Sequence, residues 1–337
     1  MLNRVLTCLF VLGLVLALPG MALAESDILA PVDTSSFQAA DRATDLYFGG
    51  FDVQGTEIAC WGGISGVGSE LRVVDRTTGT RTDLGAPADG YSGYNSFVAF
   101  SPIDSSFYVG FTVGDNSDDR IYQVDRAGTW THIATLAGNF DLEFAGNNPF
   151  VSGLHDESGN AIWLLDTTGA NNHDKLIEIG GYSAGLGVDT TGNVFYASSD
   201  SALYRWDAAD VAGAIGGTSL TNADGTKLAD LEAGAYDTEV DAAGNVLFTV
   251  NGSRNITALW NGTEGDGQNY DALTLGAGEW GNWHTLVKST GDIHTPGEAF
   301  YVGDFYFNGV AEVSAVPEPS TLALLLAGVV FLAFRRK

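Results

Sequence analysis

Positive charge and sulfur are what this chain has least of. Only 15 of its 337 residues are Lys or Arg, against 42 Asp or Glu, and the formal net charge is -27. So acidic a balance excludes nucleic acid as a partner, because a phosphate backbone needs a basic footprint. It also excludes electrostatic attachment to an anionic membrane surface. Cys and Met contribute 2 residues each. Cys8 falls in an N-terminal apolar run, so Cys60 is alone in the body and no intrachain disulfide forms there. Beside Trp61, Cys60 reads as a small buried hydrophobe. Helical periodicity is nearly absent, residues 208–215 being the one modest candidate. The five His residues show no zinc spacing.

What is present is a full core and two distinctive ends. Hydrophobic residues make up 45% of the chain, too many for intrinsic disorder. Arg4, the apolar residues 5–18, Pro19-Gly20 and Ala22-Leu23-Ala24 form a secretory signal peptide over residues 1–24. At the other end residues 321–334 are apolar, and Arg335-Arg336-Lys337 follows at once. At 1.5 Å per residue a helix there covers about 21 Å, short of a ~30 Å hydrocarbon core. The terminal cations keep to the cytoplasmic side, which leaves the body outside.

Just upstream stand Pro317, Glu318 and Pro319. Pro-Glu-Pro, a short hydrophobic helix and the Arg335-Arg336 end, in this order, resemble the PEP-CTERM sorting signal of Gram-negative bacteria. The resemblance covers about the last 21 residues. It implies recognition by a membrane-embedded exosortase, removal of the tail (316–337) and delivery to the cell surface or extracellular matrix. Export of this kind often accompanies exopolysaccharide and biofilm production, and the membrane is then touched only through the tail before processing. Nothing in the tail speaks of what the body (25–315) does. Without its ends the body carries 11 cations against 41 acids, or -30.

The body repeats. One line of sequence ends at the apolar anchors Phe48, Phe100, Phe144, Val188, Val240 and Val287, spaced 52, 44, 44, 52 and 47 residues apart. Most are followed by a turn and a second apolar run, as where Asp189 to Asn193 leads into Val194 and Asp241 to Asn245 into Val246. A second line, 19 to 27 residues after each anchor, ends an apolar strand at Asp75, Asp125, Asp166, Asp207, Asn261 or Asn308. Turn residues follow, and usually another strand, such as 131–136. Four short strands in about 45 residues, six times over, indicate an all-β fold, a six-bladed β-propeller. Five or seven blades result if an end unit is miscounted. Residues 26–44 are expected to supply an outer strand to the last blade and close the ring.

Three enzyme-like or metal-like strings fail on context. Gly181-Tyr182-Ser183-Ala184-Gly185 matches a nucleophile elbow, but a strand, not a helix, is expected after it. Gly276 to Gly281 matches G-x-G-x-x-G, again without a following helix to bind a pyrophosphate. Asp115-Asn116-Ser117-Asp118-Asp119 opens like a calcium loop, yet Arg120 and Arg126 stand where that loop needs Gly and Glu.

The repeat register supplies a better candidate. Three residues before each anchor come Asp45, Phe97, Asp141, Gly185, Asp237 and His284, equivalent positions on the strands that line a propeller channel. Asp45, Asp141, Asp237 and His284 can together hold a hard cation such as calcium. Asn139, Phe140, Tyr236, Asn282 and Trp283 lie beside them and can contact a sugar or another flat ligand. The plainer alternative is that these Asp residues accept hydrogen bonds from backbone donors where strands begin. The expected function is a secreted, surface-sorted binding protein without enzymatic activity, whose ligand is a matrix polysaccharide, another surface protein or a divalent cation. The alternative is a calcium-dependent hydrolase or lactonase, for which Glu143, Glu239 and His284 are the available general bases. A purely structural matrix component is a third reading.

Overall fold

The structure is a computed structural model. It describes residues 47–63, 69–75, 77–91, 93–156, 159–180, 185–198, 202–230, 235–250, 256–260, 270–274, 285–289, 299–304 and 309–314. The expected signal peptide, the closing segment 26–44 and the sorting tail lie outside these residues.

Nearly every apolar run becomes a strand, as β-branched and aromatic residues in short alternating stretches dictate. The first sheet is β1 (Tyr47–Gln54), β2 (Glu57–Gly63), β3 (Glu70–Asp75) and β4 (Arg81–Gly85). The second is β5 (Tyr94–Phe100), β6 (Phe107–Thr112), β7 (Arg120–Val124) and β8 (Trp130–Thr135). The third is β9 (Asp141–Ala145), β10 (Asn148–Asp156), β11 (Gly159–Leu164) and β12 (Asp174–Gly180). In the fourth, β13 (Leu186–Val188), β14 (Val194–Ser198) and β15 (Ala202–Trp206) come first. A helix, α1 (Ala208–Ala214), and a short strand, β16 (Leu220–Thr221), intervene before the fourth sheet's outer strand, β17 (Thr226–Asp230). β16 pairs in parallel with β12 and widens the third sheet to five strands.

The fifth sheet is β18 (Ala235–Val240), β19 (Val246–Val250), β20 (Ile256–Trp260) and β21 (Tyr270–Thr274). The last has three described strands, β22 (Thr285–Ser289), β23 (Ala299–Asp304) and β24 (Gly309–Ser314). Among the described residues the strands thus form six sheets, antiparallel throughout except for the β12–β16 pair. The innermost strands β1, β5, β9, β13, β18 and β22 each neighbour the next, and β22 returns to β1. The body is an all-β propeller.

Radial sheets bury both faces, and β5 shows how. Val98 and Phe100 join Leu71 and Val73 of the first sheet in one apolar cluster. Phe97 and Ala99, on the other face, join Leu142 and Val151 of the third. Period-two alternation therefore separates two cores instead of a core from solvent. Two further clusters fill the spaces between third and fourth sheets and between fourth and fifth. Helix α1 adds Val211 and Ala214 to the former of these, beside Trp206.

The turns are built from aspartate. Asp75 Oδ1 accepts the N–H groups of Thr77 and Thr78, Asp125 Oδ1 those of Ala127 and Thr129, and Asp166 Oδ1 that of Thr168. Asp189 and Asp241 do the same in the inner hairpins. Gly192, with φ 92, takes the left-handed position that such a turn demands.

Candidate functional site in the inner ring

Bulges tune the inner strands. They fall between Phe48 and Phe51 in β1, Asn95 and Phe97 in β5, and Ala235 and Asp237 in β18. Four residues lead from each bulge to the hairpin end, so Phe51, Phe97 and Asp237 are equivalent. This corrects the first unit of the sequence register. Its anchor is Gln54 and not Phe48, and Asp45 is not the counterpart of Asp237. Asp45, Asn282, Trp283, His284 and the Tyr236 side chain lie outside the described residues.

The two remaining ring aspartates come together. Asp141 and Asp237 are both buried, and their side chains interact across the ring. Gly185, the ring member between them, makes room: a β-carbon there meets Thr238 N at 2.0 Å and Asp237 Cα at 2.1 Å. Asp141 also accepts the N–H groups of Leu142 and Leu186, each at 2.8 Å. Phe97 is buried in the core.

Asn139 is fully buried, and its amide donates to Phe111 O and Leu136 O, each at 3.1 Å, while accepting from Ser96 Oγ at 2.8 Å. Asn95, its equivalent one unit earlier, donates to Phe97 O and Gly110 O and accepts from Gly50 N–H. These amides are straps between adjacent sheets. Phe140 is half-buried at the start of β9, and Tyr94, at the start of β5, is 79% exposed.

Sequence reasoning missed the group on which the ring centres. Lys288 of β22 is buried, and its Nζ contacts Glu143 of β9 and lies 3.4 Å from Glu239 Oε2 of β18. Glu239 Oε1 accepts the N–H of Ser289 at 3.2 Å. Asp52 of β1 accepts the N–H groups of Val53 at 2.7 Å and Phe100 at 2.6 Å. One signal was available: Lys288 is the one Lys or Arg in the six inner strands.

Five carboxylates thus surround one ammonium. Burial pushes the Asp52 and Asp141 carboxyls up, against the pull of Lys288 and of their backbone donors. Burial raises Glu143 well above the ordinary range, and the charges of Glu239, Asp141 and Asp52 add to it. Glu239 is pushed up to about 7, again chiefly by burial, with Asp52 contributing. Burial alone would strip the proton from Lys288, but Glu143, Glu239, Asp141 and Asp237 together hold it charged well above its usual range. One cation faces five acids, and burial pushes up the carboxyls of Asp52, Asp141, Glu143 and Glu239. Chemically the cluster can exchange a proton near pH 7 through Glu239.

It does not fit calcium. A divalent ion needs several free carboxylate oxygens converging on one point. Here Lys288 occupies Glu143 and Glu239, and backbone N–H groups occupy Asp52 and Asp141. Among the described residues no three His, Cys, Asp or Glu side chains are placed to hold a metal. Asp115 to Asp119 is a turn: Asp115 caps Ser117, while the buried Asp119 accepts from Val113 N and Gly138 N.

Residues 315–337 match the PEP-CTERM protein-sorting motif. The chain carries a PEP-CTERM sorting signal. The motif marks an exported protein that exosortase processes for the cell surface. Among curated proteins no sequence matches the chain significantly. Solved structures do resemble it. A gluconolactonase from Xanthomonas campestris aligns with TM-score 0.55 and 10% identity, over 87% of this chain and 96% of that one. The PQQ-bound aldose sugar dehydrogenase of Streptomyces coelicolor aligns with TM-score 0.53 and 14% identity, over 83% and 97%. At such identities the likeness extends to the fold and no further.

Proposed function

We propose that this PEP-CTERM protein is a six-bladed propeller that binds a ligand of the cell envelope or extracellular matrix without turning it over. In this reading residues 1–24 are the signal peptide, 25–315 the body and 316–337 the tail. Each sheet is one blade, and residues 26–44 add the outer strand that the three-stranded last sheet lacks. The observation that carries the reading is the internal commitment of the ring centre, whose acids are engaged by Lys288 and by backbone N–H groups. Binding then falls to the rim, where Tyr94 offers an exposed ring for stacking on a sugar and Phe140 directly precedes β9, with Tyr236 and Trp283 added by their place in the sequence repeat.

A second reading, a hydrolase or lactonase, draws support from Glu239, because a carboxyl near 7 suits a general base at neutral pH. One experiment separates the two. Residues 25–315 are titrated with matrix polysaccharide fractions by calorimetry and assayed against a lactone panel, alongside Tyr94→Ala and Glu239→Gln. Polysaccharide binding that Tyr94→Ala weakens at least tenfold, without turnover, is the expected result. Lactone hydrolysis abolished by Glu239→Gln replaces it with the second reading. Neither binding nor turnover overturns both and leaves a structural matrix component.

A further inference from the structure

We propose that the ring centre is an anionic site for a primary ammonium, which the chain fills with its own Lys288 side chain. The inference shares with the binding reading the engagement of the ring acids by Lys288, and its test does not depend on a ligand at the rim. Glu143 comes from the third sheet, Glu239 from the fifth and Lys288 from the sixth, separated in sequence by 145 and 49 residues from the lysine. Asp52 of the first sheet and the Asp141–Asp237 pair complete the negative surround. β1, β9 and β18 present the acids, and the ammonium is the sole cation within the inner strands.

Lys288 therefore acts as a tethered ligand. It satisfies a pocket that would otherwise attract a cation, and in doing so it pins the last sheet to two others across the ring. A free ligand of the same chemistry is expected to bind only when the tether is shortened. Lys288→Ala removes three methylenes and the ammonium, which together equal n-propylammonium.

The test uses the full chain purified in mild detergent and reads melting temperature against added salts. Lys288→Ala is expected to melt roughly 5–15 °C below the wild type, as a buried ion pair with one partner removed should. Added n-propylammonium chloride should then restore at least half of that loss saturably, while tetramethylammonium chloride at equal concentration does not. The wild type should respond to neither. Equal responses of wild type and variant, or no recovery specific to propylammonium, overturn the proposal. If Lys288→Ala does not accumulate folded, Lys288→Met is compared with Lys288→Met combined with Glu239→Gln. Neutralising the second charge must recover folded yield, and failure to do so overturns the proposal as well.

Discussion

Replacing Gly185 by alanine should cost far more than an alanine at any open turn. The added β-carbon meets Thr238 N at 2.0 Å, Asp237 Cα at 2.1 Å and Asp237 C at 2.3 Å, where ordinary contact lies at 3.4–4 Å. All three are backbone atoms, so no side-chain rotation relieves the clash. β13 and β18 must part by about 1.3 Å or more at a place where the core is close-packed. That movement also pulls Leu186 N away from Asp141 Oδ2, now 2.8 Å apart, and opens the Asp141–Asp237 contact. Overpacking contributes about 1–3 kcal/mol and the lost buried hydrogen bond about as much again, for a total of about 2–6 kcal/mol. In calorimetry this appears as a melting temperature lower by roughly 3–10 °C. Gly79→Ala is the control. Gly79 has φ +70 with nothing within 4 Å, so it loses only about 1 kcal/mol of conformational preference. A Gly185→Ala protein no less stable than Gly79→Ala would refute the reasoning.

Two further predictions concern buried acids. Glu239, raised from 4.5 to about 7, keeps in the folded state a proton that the unfolded chain has released. Its contribution is complete below pH 4.5 and lost as pH rises to 7, about 3 kcal/mol in all. Stability measured by urea unfolding should therefore fall between pH 5 and 7, and Glu239→Gln should flatten that slope. Lys288 does not enter this window, because its raised value places its loss above pH 10.5. Asp119→Ala strands the N–H groups of Val113 and Gly138 in the interior and should cost about 2–4 kcal/mol by chemical denaturation. Asp115→Ala, four residues earlier on the exposed turn, should stay within about 0.5 kcal/mol.

Much of the fold was legible because its turns are written in local chemistry. Asp189 to Asn193 and Asp241 to Asn245 close their hairpins through bonds spanning two to four residues, and α1 lies within the one helical stretch. The period also assigns Asp141 and Asp237 to inner strands, where both side chains are buried. What failed was whatever depends on a bulge or on distance. Residues 45–48 repeat the Asp-Leu-x-Phe pattern of 141–144 six residues ahead of the hairpin end at Gln54, so the pattern alone points to Asp45 where Phe51 belongs. Asn139 looked like a ligand contact because a buried amide satisfied by carbonyls has the same letter as an exposed one. Lys288 finds its partners 145 and 49 residues away, beyond the reach of any motif.

The aspartate-built turns have a consequence for how the molecule behaves in a crowd. Thr78 N–H at Asp75, Thr129 N–H at Asp125 and the Thr168 hydroxyl at Asp166 hold these exposed carboxyls below their ordinary range. Acid that discharges most proteins of this composition therefore leaves these corners anionic. Copies packed densely outside a cell would go on repelling one another through a fall in pH, and only salt would let them settle together.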